Sequence, residues 1–305
     1  MRPGSHRGGG VEIGAGPRPA TGRQRGRRPA VSTVTITLDG ESVEVTEGTT
    51  LLQAARDQGR EIPTLCQLDT LTPVNTCRLC LVEVEGSRTL VPSCSRPAED
   101  GMVVSTNSDR VRHSRRMVLE LLASSVNLDR AEPELAGWMR EYGADPDRMG
   151  DGEVVVEEPR IHDNLYVRDY ERCILCYKCV EVCGTDAQHS FAIAVAGRGF
   201  ESRISTEYDT DLTESACVYC GNCIGVCPTG ALEFRAEFDL RQAGAWNPEA
   251  QEVTRTVCSY CGIGCNLELR TQDGRIVRVT SPQDHDITSG NLCIKGRFGS
   301  TYLGT

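Results

Sequence analysis

The fold is decided by a stretch that occurs twice, as Cys173-Ile174-Leu175-Cys176-Tyr177-Lys178-Cys179-Val180-Glu181-Val182-Cys183 and again as Cys217-Val218-Tyr219-Cys220-Gly221-Asn222-Cys223-Ile224-Gly225-Val226-Cys227, followed by Pro228. In both copies two, two and three residues separate successive cysteines. Three sulfurs spaced this closely can cap one face of a [4Fe-4S] cluster, whereas the fourth points away and must bind the other cluster. The spacing therefore predicts two crossed sites, one formed by Cys173, Cys176, Cys179 and Cys227 and the other by Cys217, Cys220, Cys223 and Cys183. A tetrahedral zinc ion cannot use all four sulfurs of such a run.

A set of four cysteines precedes this pair. It consists of Cys66, Cys77, Cys80 and Cys94, separated by ten, two and thirteen residues. The loop from Pro63 to Leu81 lets three of these sulfurs converge while the fourth returns from a strand, which favours an iron–sulfur cluster. A tetrahedral zinc site is the alternative, because two cysteines separated by two residues suit zinc as well.

The last set follows the pair and consists of Cys258, Cys261, Cys265 and Cys293, separated by two, three and twenty-seven residues. An apparent hairpin with strands at 267–269 and 276–279, turning at Asp273-Gly274, would bring the last cysteine back to the other three. The pattern predicts a single iron–sulfur cluster, with a zinc ribbon as the alternative. The four sets use all 16 cysteines of the chain and leave no free thiol.

Composition supports small modules held together by inorganic centres. Cysteine makes up about 5% of the 305 residues, well above ordinary usage, while 39% of residues are hydrophobic and 5% aromatic. A single large core is therefore not expected. Sixteen cysteines could also form disulfides, but the N-terminus carries no apolar secretory core, and the Arg27-Arg28 pair looks accidental. A cytoplasmic, reducing location is favoured, where cysteine clusters bind metal or perform redox chemistry.

Charge excludes one class of partner. Residues 1–30 hold seven Arg and twelve Gly or Pro, a composition typical of disorder, so this segment is either a basic arm for an acidic partner or an overlong start preceding Val31. Without it, 26 Lys and Arg face 42 Asp and Glu, a net charge of −16 that argues against nucleic acid. No apolar run approaches the length of a membrane span.

Local patterns predict an α+β chain. Two alternating strands at 34–38 and 42–45 surround the turn Asp39-Gly40, and a capping box from Thr50 to Gln53 starts a helix that stops at Gly59. A hairpin followed by a helix fits a β-grasp domain. Residues 111–122, with apolar positions 111, 118, 121 and 122 and with Arg112, Arg115 and Arg116 between them, predict an amphipathic helix whose basic face is solvated. The cysteine-free segment 127–160, with Trp138 and Tyr142 as anchors, is expected to be a spacer.

The motifs resemble a known family. Cys66 to Cys94 resembles the [2Fe-2S] domain shared by the large iron–sulfur subunit of NADH dehydrogenase, iron-only hydrogenases and NAD-dependent formate dehydrogenases. The run Val167-Arg168-Asp169-Tyr170-Glu171-Arg172-Cys173-Ile174-Leu175-Cys176 resembles the two-cluster ferredoxin insert of the formate dehydrogenase α subunit. The segments 256–265 and 291–297 are similar to the N-terminal iron–sulfur lobe of molybdenum or tungsten bis-pterin oxidoreductases, and Lys295 matches the lysine that bridges cluster and pterin.

The resemblance implies a domain order and a cofactor set. It divides the chain into a basic arm or mis-called start (1–30), a β-grasp [2Fe-2S] domain (31–108), a helical linker (109–160), a two-[4Fe-4S] ferredoxin domain (161–245) and a small β-rich [4Fe-4S] lobe of the bis-pterin type (251–305). It implies one [2Fe-2S] and three [4Fe-4S] clusters. Relatives bind another cluster through a His and three Cys in the segment matching 126–139, and those ligands are missing here.

The resemblance also implies a function. The module order fits formate dehydrogenase best, because an iron-only hydrogenase would place its catalytic cysteines after Cys227 and the NADH dehydrogenase subunit usually lacks the paired insert. The sequence ends twelve residues beyond Cys293, so the Mo/W bis-pterin is expected in a partner or in a missing C-terminal portion. We therefore expect an electron-transfer module between a Mo/W-pterin polypeptide and flavin/NAD-reducing iron–sulfur subunits, with no catalytic residue of its own. A standalone carrier and a NADH dehydrogenase subunit are the alternatives. The remaining candidates, His113, His162, His189 and His285, are expected to be surface or packing residues.

Overall fold

The structure, a computed structural model, describes residues 32–150 and 152–300. The basic arm expected at 1–30 and the last five residues lie outside this range. The described chain mixes short helices with small sheets, which confirms the α+β expectation. Its first sheet has five strands in the order β2-β1-β5-β3-β4, which are β1 (Thr33–Leu38), β2 (Glu41–Thr46), β3 (Leu81–Val84), β4 (Val91–Pro92) and β5 (Val103–Ser105).

The predicted hairpin and helix form at the start of this sheet. Asp39 and Gly40 both have positive φ, at 48° and 88°, as a tight two-residue turn between antiparallel strands requires. Helix α1 (Leu51–Asp57) begins where the Thr50 side chain accepts a hydrogen bond from the Gln53 N–H. The alternating inward side chains of the hairpin and the apolar face of α1 form one core with the strands.

Two helices follow the sheet, α2 (Asp109–Ser125) and α3 (Pro133–Tyr142). The predicted helix is present, and its predicted apolar positions are buried or packed in the core at 111, 118 and 122 but not at 121. Leu121 is 52% exposed, whereas Arg115 and Leu119 are each 1% exposed. Positions 111, 115 and 119 lie four residues apart, so one helix face carries all three toward the sheet.

The buried guanidinium of Arg115 is stabilised by hydrogen bonds to neighbouring oxygens. Its guanidinium donates to the carbonyls of Leu79 and Leu81 and to the Tyr142 hydroxyl, at 3.2, 3.1 and 2.9 Å. A planar fork of N–H groups can satisfy several buried acceptors at once. The expectation of a fully solvated basic face is therefore wrong at this position.

The middle of the chain forms a compact body from elements that recur as two similar halves. Strands β6 and β9 pair antiparallel, β7 and β8 form a second ribbon, and helices α4 and α5 form the later parts of the two cysteine runs. Their bounds are β6 (Tyr166–Arg168), α4 (Lys178–Cys183), β7 (Ala194–Ala196), β8 (Arg203–Ser205), α5 (Asn222–Gly225), β9 (Leu232–Phe234) and α6 (Arg235–Gln242).

The C-terminal part is a three-stranded antiparallel sheet, β10 (Glu252–Val257), β11 (Asn266–Gln272) and β12 (Arg275–Thr280), followed by α7 (Ile294–Phe298). The predicted hairpin corresponds to β11 and β12, with Asp273 and Gly274 at positive φ in its turn. Strand β10 is an addition, and it precedes the first cysteine of the last set directly. Within the described range, no helix is long and apolar enough to span a bilayer.

Candidate metal centres

All sixteen cysteines are free thiols in the structure, and they lie in four groups. In the first group the sulfurs form two pairs. The Cys77 N–H lies 3.5 Å from Cys66 Sγ, and Cys80 Sγ lies 3.3 Å from Cys94 Sγ. Asn75 Oδ1 is 3.0 Å from Cys94 Sγ. Two pairs of thiols suit a two-iron cluster in which each iron takes two thiolates.

Hydrogen bonding between the paired thiols separates their acidities. The Cys77 contact lowers the pKa of Cys66 to about 5, and the Cys94 contact lowers the pKa of Cys80 to about 7. The pKa values of Cys77 and Cys94 are raised by the same hydrogen bonds and by burial. One thiol in each pair is therefore predisposed to the thiolate form that metal binding needs.

The second group lines a cavity in the central body. Its walls include Cys173, Cys176, Cys179 and Cys227, with Pro228 next to the last. Burial raises the pKa of Cys173 to about 12 and that of Cys176 to about 11, and the charge of Cys227 contributes to both shifts. The structure thus brings Cys227 to the three cysteines of the other run, as the crossed arrangement requires.

The third group lines a separate, apolar cavity. Cys183 reaches it together with Cys217, Cys220 and Cys223. Burial raises the pKa of Cys220, with contributions from Cys217 and Cys183. The Tyr166 hydroxyl lies 3.1 Å from Cys217 Sγ. We call these two spaces cavity A (Cys173, Cys176, Cys179, Cys227) and cavity B (Cys183, Cys217, Cys220, Cys223).

The ligand loops repeat one backbone pattern. Leu175 and Tyr177 have positive φ, at 51° and 64°, and the matching positions Tyr219 and Gly221 have φ of 55° and 67°. Left-handed conformations cost non-glycine residues energy and are held only where the surroundings enforce them. Because the two halves share them at equivalent positions, the conformations belong to the way that each run curls its cysteines round a cavity.

The fourth group lies at the edge of the C-terminal sheet. Cys258 is buried and donates its N–H to the Cys265 carbonyl at 2.8 Å, whereas Cys261 and Cys293 are exposed. The charges of the other three cysteines contribute to the raised pKa of Cys265, whose main cause is burial. The hairpin therefore does return Cys293 to this group. Lys295 is exposed, two residues further on in α7.

Sequence reasoning missed Arg297, which joins the central body to the C-terminal part. It is 1% exposed and donates to the carbonyls of Cys220 and Val279 at 3.3 and 3.0 Å. It also donates to Asn222 Oδ1 at 3.0 Å. Burial lowers its pKa to about 10, so the guanidinium stays charged at neutral pH.

Glycine makes room for this arginine. A Cβ on Gly221 would lie 2.8 Å from Arg297 Cγ and 3.0 Å from the Phe298 ring, and Gly225 faces the guanidinium from the next turn. The Cys220-Gly221-Asn222-Cys223 run therefore combines a ligand loop with a docking surface for α7. The small residues between the ligands are the signal that sequence reasoning could have used.

Arg168, five residues before Cys173, is a second buried arginine. It is 2% exposed and lines cavity B. Its Nη1 lies 3.5 Å from the Tyr170 hydroxyl, while Nε and Nη2 are buried without a hydrogen-bond partner. Buried donors without partners are costly, and they point to a group that the protein alone does not supply.

Four histidines lie among the residues that the structure describes. His113 contacts Arg116, His162 contacts Asp211, and His285 Nδ1 accepts the N–H of Ile287, at 3.0, 3.2 and 3.3 Å. His189 is exposed. Each of the first three contacts is an ordinary surface interaction, in keeping with the surface or packing role expected.

The first cysteine group lies against the central body. Leu71 packs in one apolar cluster with Val182 and Val226. Next to it, Asp186 accepts two hydrogen bonds from Thr72, from its backbone N–H at 2.6 Å and from its hydroxyl at 3.0 Å. The loop between Cys66 and Cys77 is therefore anchored on the helix end that carries Cys183.

A second contact connects the first group with cavity A. Ile174, between two cavity A cysteines, packs against the apolar cluster that contains Leu65 and Leu79, the residues next to Cys66 and Cys80. Cys66 lies close enough to Cys176 for its charge to contribute to the raised pKa of that thiol. Helices α2 and α3 of the linker pack into the same cluster and thus hold the two parts together.

The donor chemistry of the cavities fits iron–sulfur clusters. Each is lined by four thiols within otherwise largely apolar walls, and cavity B adds a buried cation with orphaned donors. Thiolates in an apolar pocket are the ligands such clusters take. Over the residues that the structure describes, no three His, Cys, Asp or Glu side chains lie close enough to hold a single metal ion.

Family comparisons match three separate parts of the chain. Residues 31–109 match the 2Fe-2S iron-sulfur cluster binding domain, residues 164–233 match the ferredoxin-like domain of NADH-quinone oxidoreductase subunit 3, and residues 251–304 match the molybdopterin oxidoreductase Fe4S4 domain. The chain therefore carries a [2Fe-2S] domain and [4Fe-4S] ferredoxin-like domains. Because the middle match bears the name of an NADH-quinone oxidoreductase, the paired insert does not separate the chain from that group, contrary to the argument from module order.

Three curated relatives align with most of the chain. The chain is 35% identical to the G 2 subunit of NADH-quinone oxidoreductase from Rhizobium meliloti, over 88% of this chain and 31% of that protein. It is 38% identical to the HndD subunit of the NADP-reducing hydrogenase from Solidesulfovibrio fructosivorans, over 74% of this chain and 40% of that protein. It is 27% identical to a putative formate dehydrogenase of Staphylococcus aureus, over 88% of this chain and 31% of that protein. The chain thus spans roughly a third of the length of these relatives.

A solved structure agrees with these matches. The crystal structure of an NAD+-reducing [NiFe]-hydrogenase in the H2-reduced state superimposes with a TM-score of 0.54 at 28% identity, covering 67% of this chain and 88% of that one. Fold, cysteine groups and matches together define a polypeptide built of iron–sulfur cluster domains. More particularly, the chain is related to subunits of an NADH-quinone oxidoreductase and of an NADP-reducing hydrogenase, and to putative formate dehydrogenases.

Proposed function

We propose that the chain conducts electrons between a Mo/W-pterin site outside it and a flavin/NAD partner, as the iron–sulfur module of a formate dehydrogenase-like oxidoreductase. The observation that carries the proposal is the pair of adjacent cavities, each lined by four cysteines from two different runs. Bound iron–sulfur clusters supply one-electron chemistry, while the protein sets their spacing, burial and surrounding charge. No His, Ser or carboxylate of this chain needs a catalytic role.

We assign the sixteen cysteines to one [2Fe-2S] and three [4Fe-4S] clusters. The first holds Cys66, Cys77, Cys80 and Cys94, the second and third occupy cavities A and B, and the fourth holds Cys258, Cys261, Cys265 and Cys293. The pairing of sulfurs in the first group supports a two-iron cluster, and the grouping of Cys183 and Cys227 with the opposite runs supports crossed ligation.

The domain boundaries predicted from the sequence stay part of the proposal. We assign a β-grasp [2Fe-2S] domain to 31–108, a helical linker to 109–160, a two-cluster domain to 161–245 and a bis-pterin-type lobe to 251–305. The parallel pairing of β1 with β5 and the helix that follows the hairpin support the β-grasp assignment. A reducing compartment suits sixteen free thiols.

The contacts between the first group and the central body bear on the missing His and Cys ligands. Leu71, Thr72 and Ile174 bring the first group onto the two-cluster domain without an intervening metal site. Short distances matter because electron tunnelling falls steeply with separation. We propose that this packing replaces the additional cluster of the relatives as the connection between the [2Fe-2S] site and cavity A.

The surface round the fourth group supports a covering polypeptide. Exposed apolar side chains lie next to the exposed Cys261 and Cys293 in the sequence, and they are Tyr260, Ile263 and Ile294. Contiguous exposed apolar surface commonly marks an interaction site. We propose that the pterin-binding portion covers this surface and that Lys295 contacts the pterin, which gives the fourth cluster its neighbour.

An iron–sulfur subunit of an NADH-quinone oxidoreductase is the second candidate. The match of residues 164–233 to that group and the 35% identity to the Rhizobium meliloti protein favour it. A standalone carrier serving several partners is a third possibility. Copurification of the native protein with identification of its partners, together with assays of formate-dependent and NADH-dependent dye reduction, decides among them. Formate oxidation by the purified complex supports the first proposal, and quinone-linked NADH oxidation without formate oxidation contradicts it.

A further inference from the structure

The two central cavities differ in the charge that surrounds them. Cavity B is lined by Arg168, and Arg297 donates to the carbonyl of Cys220 in its wall. Both guanidiniums are almost completely buried, with exposures of 2% and 1%. A buried charge is expensive unless an opposite charge compensates it.

The protein does not supply that opposite charge. Arg297 donates to Cys220, Val279, Gly290 and Asn222, all of them through neutral oxygens. Arg168 has one long contact, to the neutral Tyr170 hydroxyl. Across the described ranges 32–150 and 152–300, no carboxylate forms an ion pair with either guanidinium.

The carboxylate of Asp163 does not change this picture. Its charge contributes to the raised pKa of Tyr166, a residue that lines cavity B. Its Oδ1 is occupied by the backbone N–H groups of Leu165 and Tyr166, at 2.7 and 3.1 Å. It is partly exposed, so solvent screens it more than the two arginines.

Near cavity A, the positive charges are instead paired with carboxylates or exposed to solvent. Arg172, next to Cys173, is buried but forms ion pairs with Asp129 and Asp169. Lys178 lies near Cys176, and it is partly exposed. Cavity A therefore has one neutralised arginine and one screened lysine, whereas cavity B has two uncompensated buried cations.

Resting on the proposed function, we propose that Arg168 and Arg297 are the internal counter-cations of the cluster in cavity B and give it a higher reduction potential than the cluster in cavity A. One-electron reduction adds a negative charge to a cluster that its thiolate ligands already make anionic. Nearby positive charge favours the reduced form, and more so in a low-dielectric interior. The orphaned Nε and Nη2 of Arg168 are the donors placed to bond sulfur in this cavity.

The difference in potential sets the preferred direction of electron transfer between the two central clusters. At equilibrium a single electron shared by the two central clusters rests mainly at cavity B. Cavity B is also the one tied to the C-terminal part, because Arg297 belongs to α7 and donates its backbone N–H to the Cys293 carbonyl at 3.0 Å. The same residue thus sets a potential and fixes the approach of the fourth group.

The test is a dithionite titration of the anaerobically purified full chain, with whatever partners accompany it, followed by low-temperature EPR. Cys220→Ser identifies the cavity B signal, because serine ligation changes its g-values. In the unsubstituted protein we expect the cavity B cluster to be reduced first. Arg168→Met and Arg297→Met should each lower its reduction equilibrium constant about tenfold, equivalent to about 59 mV for one electron. In the Arg168→Lys variant, the reduction potential of the cavity B cluster should stay close to that of the unsubstituted protein.

Arg235→Met is the matched control, because Arg235 is half exposed and paired with Asp239 on the surface of α6. It should leave both potentials unchanged. Unchanged cavity B potentials in Met variants with full iron and sulfide would overturn the proposal, as would equal shifts at both cavities. If a Met variant loses iron, the proposal is tested by the order in which the two clusters of the unsubstituted protein are reduced. Earlier reduction of the cavity A cluster refutes the proposal. Absence of iron from the unsubstituted protein would instead refute the proposed function.

Discussion

At the scale of single residues, the last cysteine of each run is the most informative about how the two halves of the central body are connected. Cys183 ends one run and Cys227 ends the other, yet each lines the cavity of the opposite run. A cubane needs ligands from more than one direction, and a run of three closely spaced cysteines approaches from one side only. The two halves of the body therefore both contribute cysteines to each cavity.

Replacing Cys183 tests this crossing. Cys183→Ser is expected to damage the cluster held by Cys217, Cys220 and Cys223 and to leave the other central cluster intact. Iron and sulfide analysis with EPR of the reduced protein measures both. Cys227→Ser is the matched variant and should affect cavity A instead. Loss from cavity A in the Cys183→Ser protein would contradict the crossed ligation.

Gly221 should be nearly irreplaceable. It has a φ of 67°, and a Cβ at this position would lie 2.8 Å from Arg297 Cγ. We expect Gly221→Ala to destabilise the protein by about 1–3 kcal/mol, because a left-handed backbone and a close contact are both penalised. Thermal unfolding of the iron-loaded protein measures the loss. Gly262→Ala is the control, because it has open space round its Cβ and an ordinary φ.

At the scale of elements, helix α2 connects the spacer to the first cysteine group. Arg115 reaches from α2 to the carbonyls on either side of Cys80 and to Tyr142 of α3. Without it, three buried acceptors would lose a donor. The spacer is thus a structural support for the first site, although it carries no cysteine.

Arg115→Met is expected to lower stability by about 3 kcal/mol or more, since each buried acceptor left unpaired costs about 1–3 kcal/mol. Chemical denaturation of the loaded protein, followed by loss of visible absorbance of the first cluster, measures it. Arg112→Met is the control on the same helix, where the side chain is partly exposed. Equal stability of the two variants would show that the buried fork contributes little.

The contact of Thr72 with Asp186 joins the first site to the central body. Asp186→Ala removes both hydrogen bonds and is expected to slow electron transfer from the reduced [2Fe-2S] site to cavity A, with cluster content unchanged. Freeze-quench EPR after rapid reduction measures the rate. Asp211→Ala, on the surface beside His162, is the control. An unaltered rate would mean that apolar packing at Leu71 alone fixes the distance.

Local sequence signals determined some elements and could not determine others. The turn at Asp39-Gly40, the Thr50 cap and the hairpin at Asp273-Gly274 depend on nearby residues, and they formed as predicted. Arg115 and Arg297 have hydrogen-bond partners distant in sequence, and Arg168 is buried in the wall of a cavity that distant cysteines line, so no local pattern predicts their burial. Strand β10 is exposed along its whole length and lacks the alternation by which buried strands are recognised.

At the scale of the whole molecule, four cysteine groups lie in one compact unit that starts at Thr33. Cavities A and B share an apolar core, and buried contacts join this core to the first group on one side and to α7 on the other. The cysteine spacings predicted which residues gather at each site. They did not predict how the sites are joined, because that depends on residues such as Leu71, Asp186 and Arg297 that bind no metal.

Metal analysis of the anaerobically purified chain tests the central claim most directly. One [2Fe-2S] and three [4Fe-4S] clusters predict about 14 iron atoms and as many sulfides as iron per chain, with negligible zinc. EPR of the reduced protein should show one [2Fe-2S] and several interacting [4Fe-4S] signals. Near-stoichiometric zinc with no iron would contradict the account.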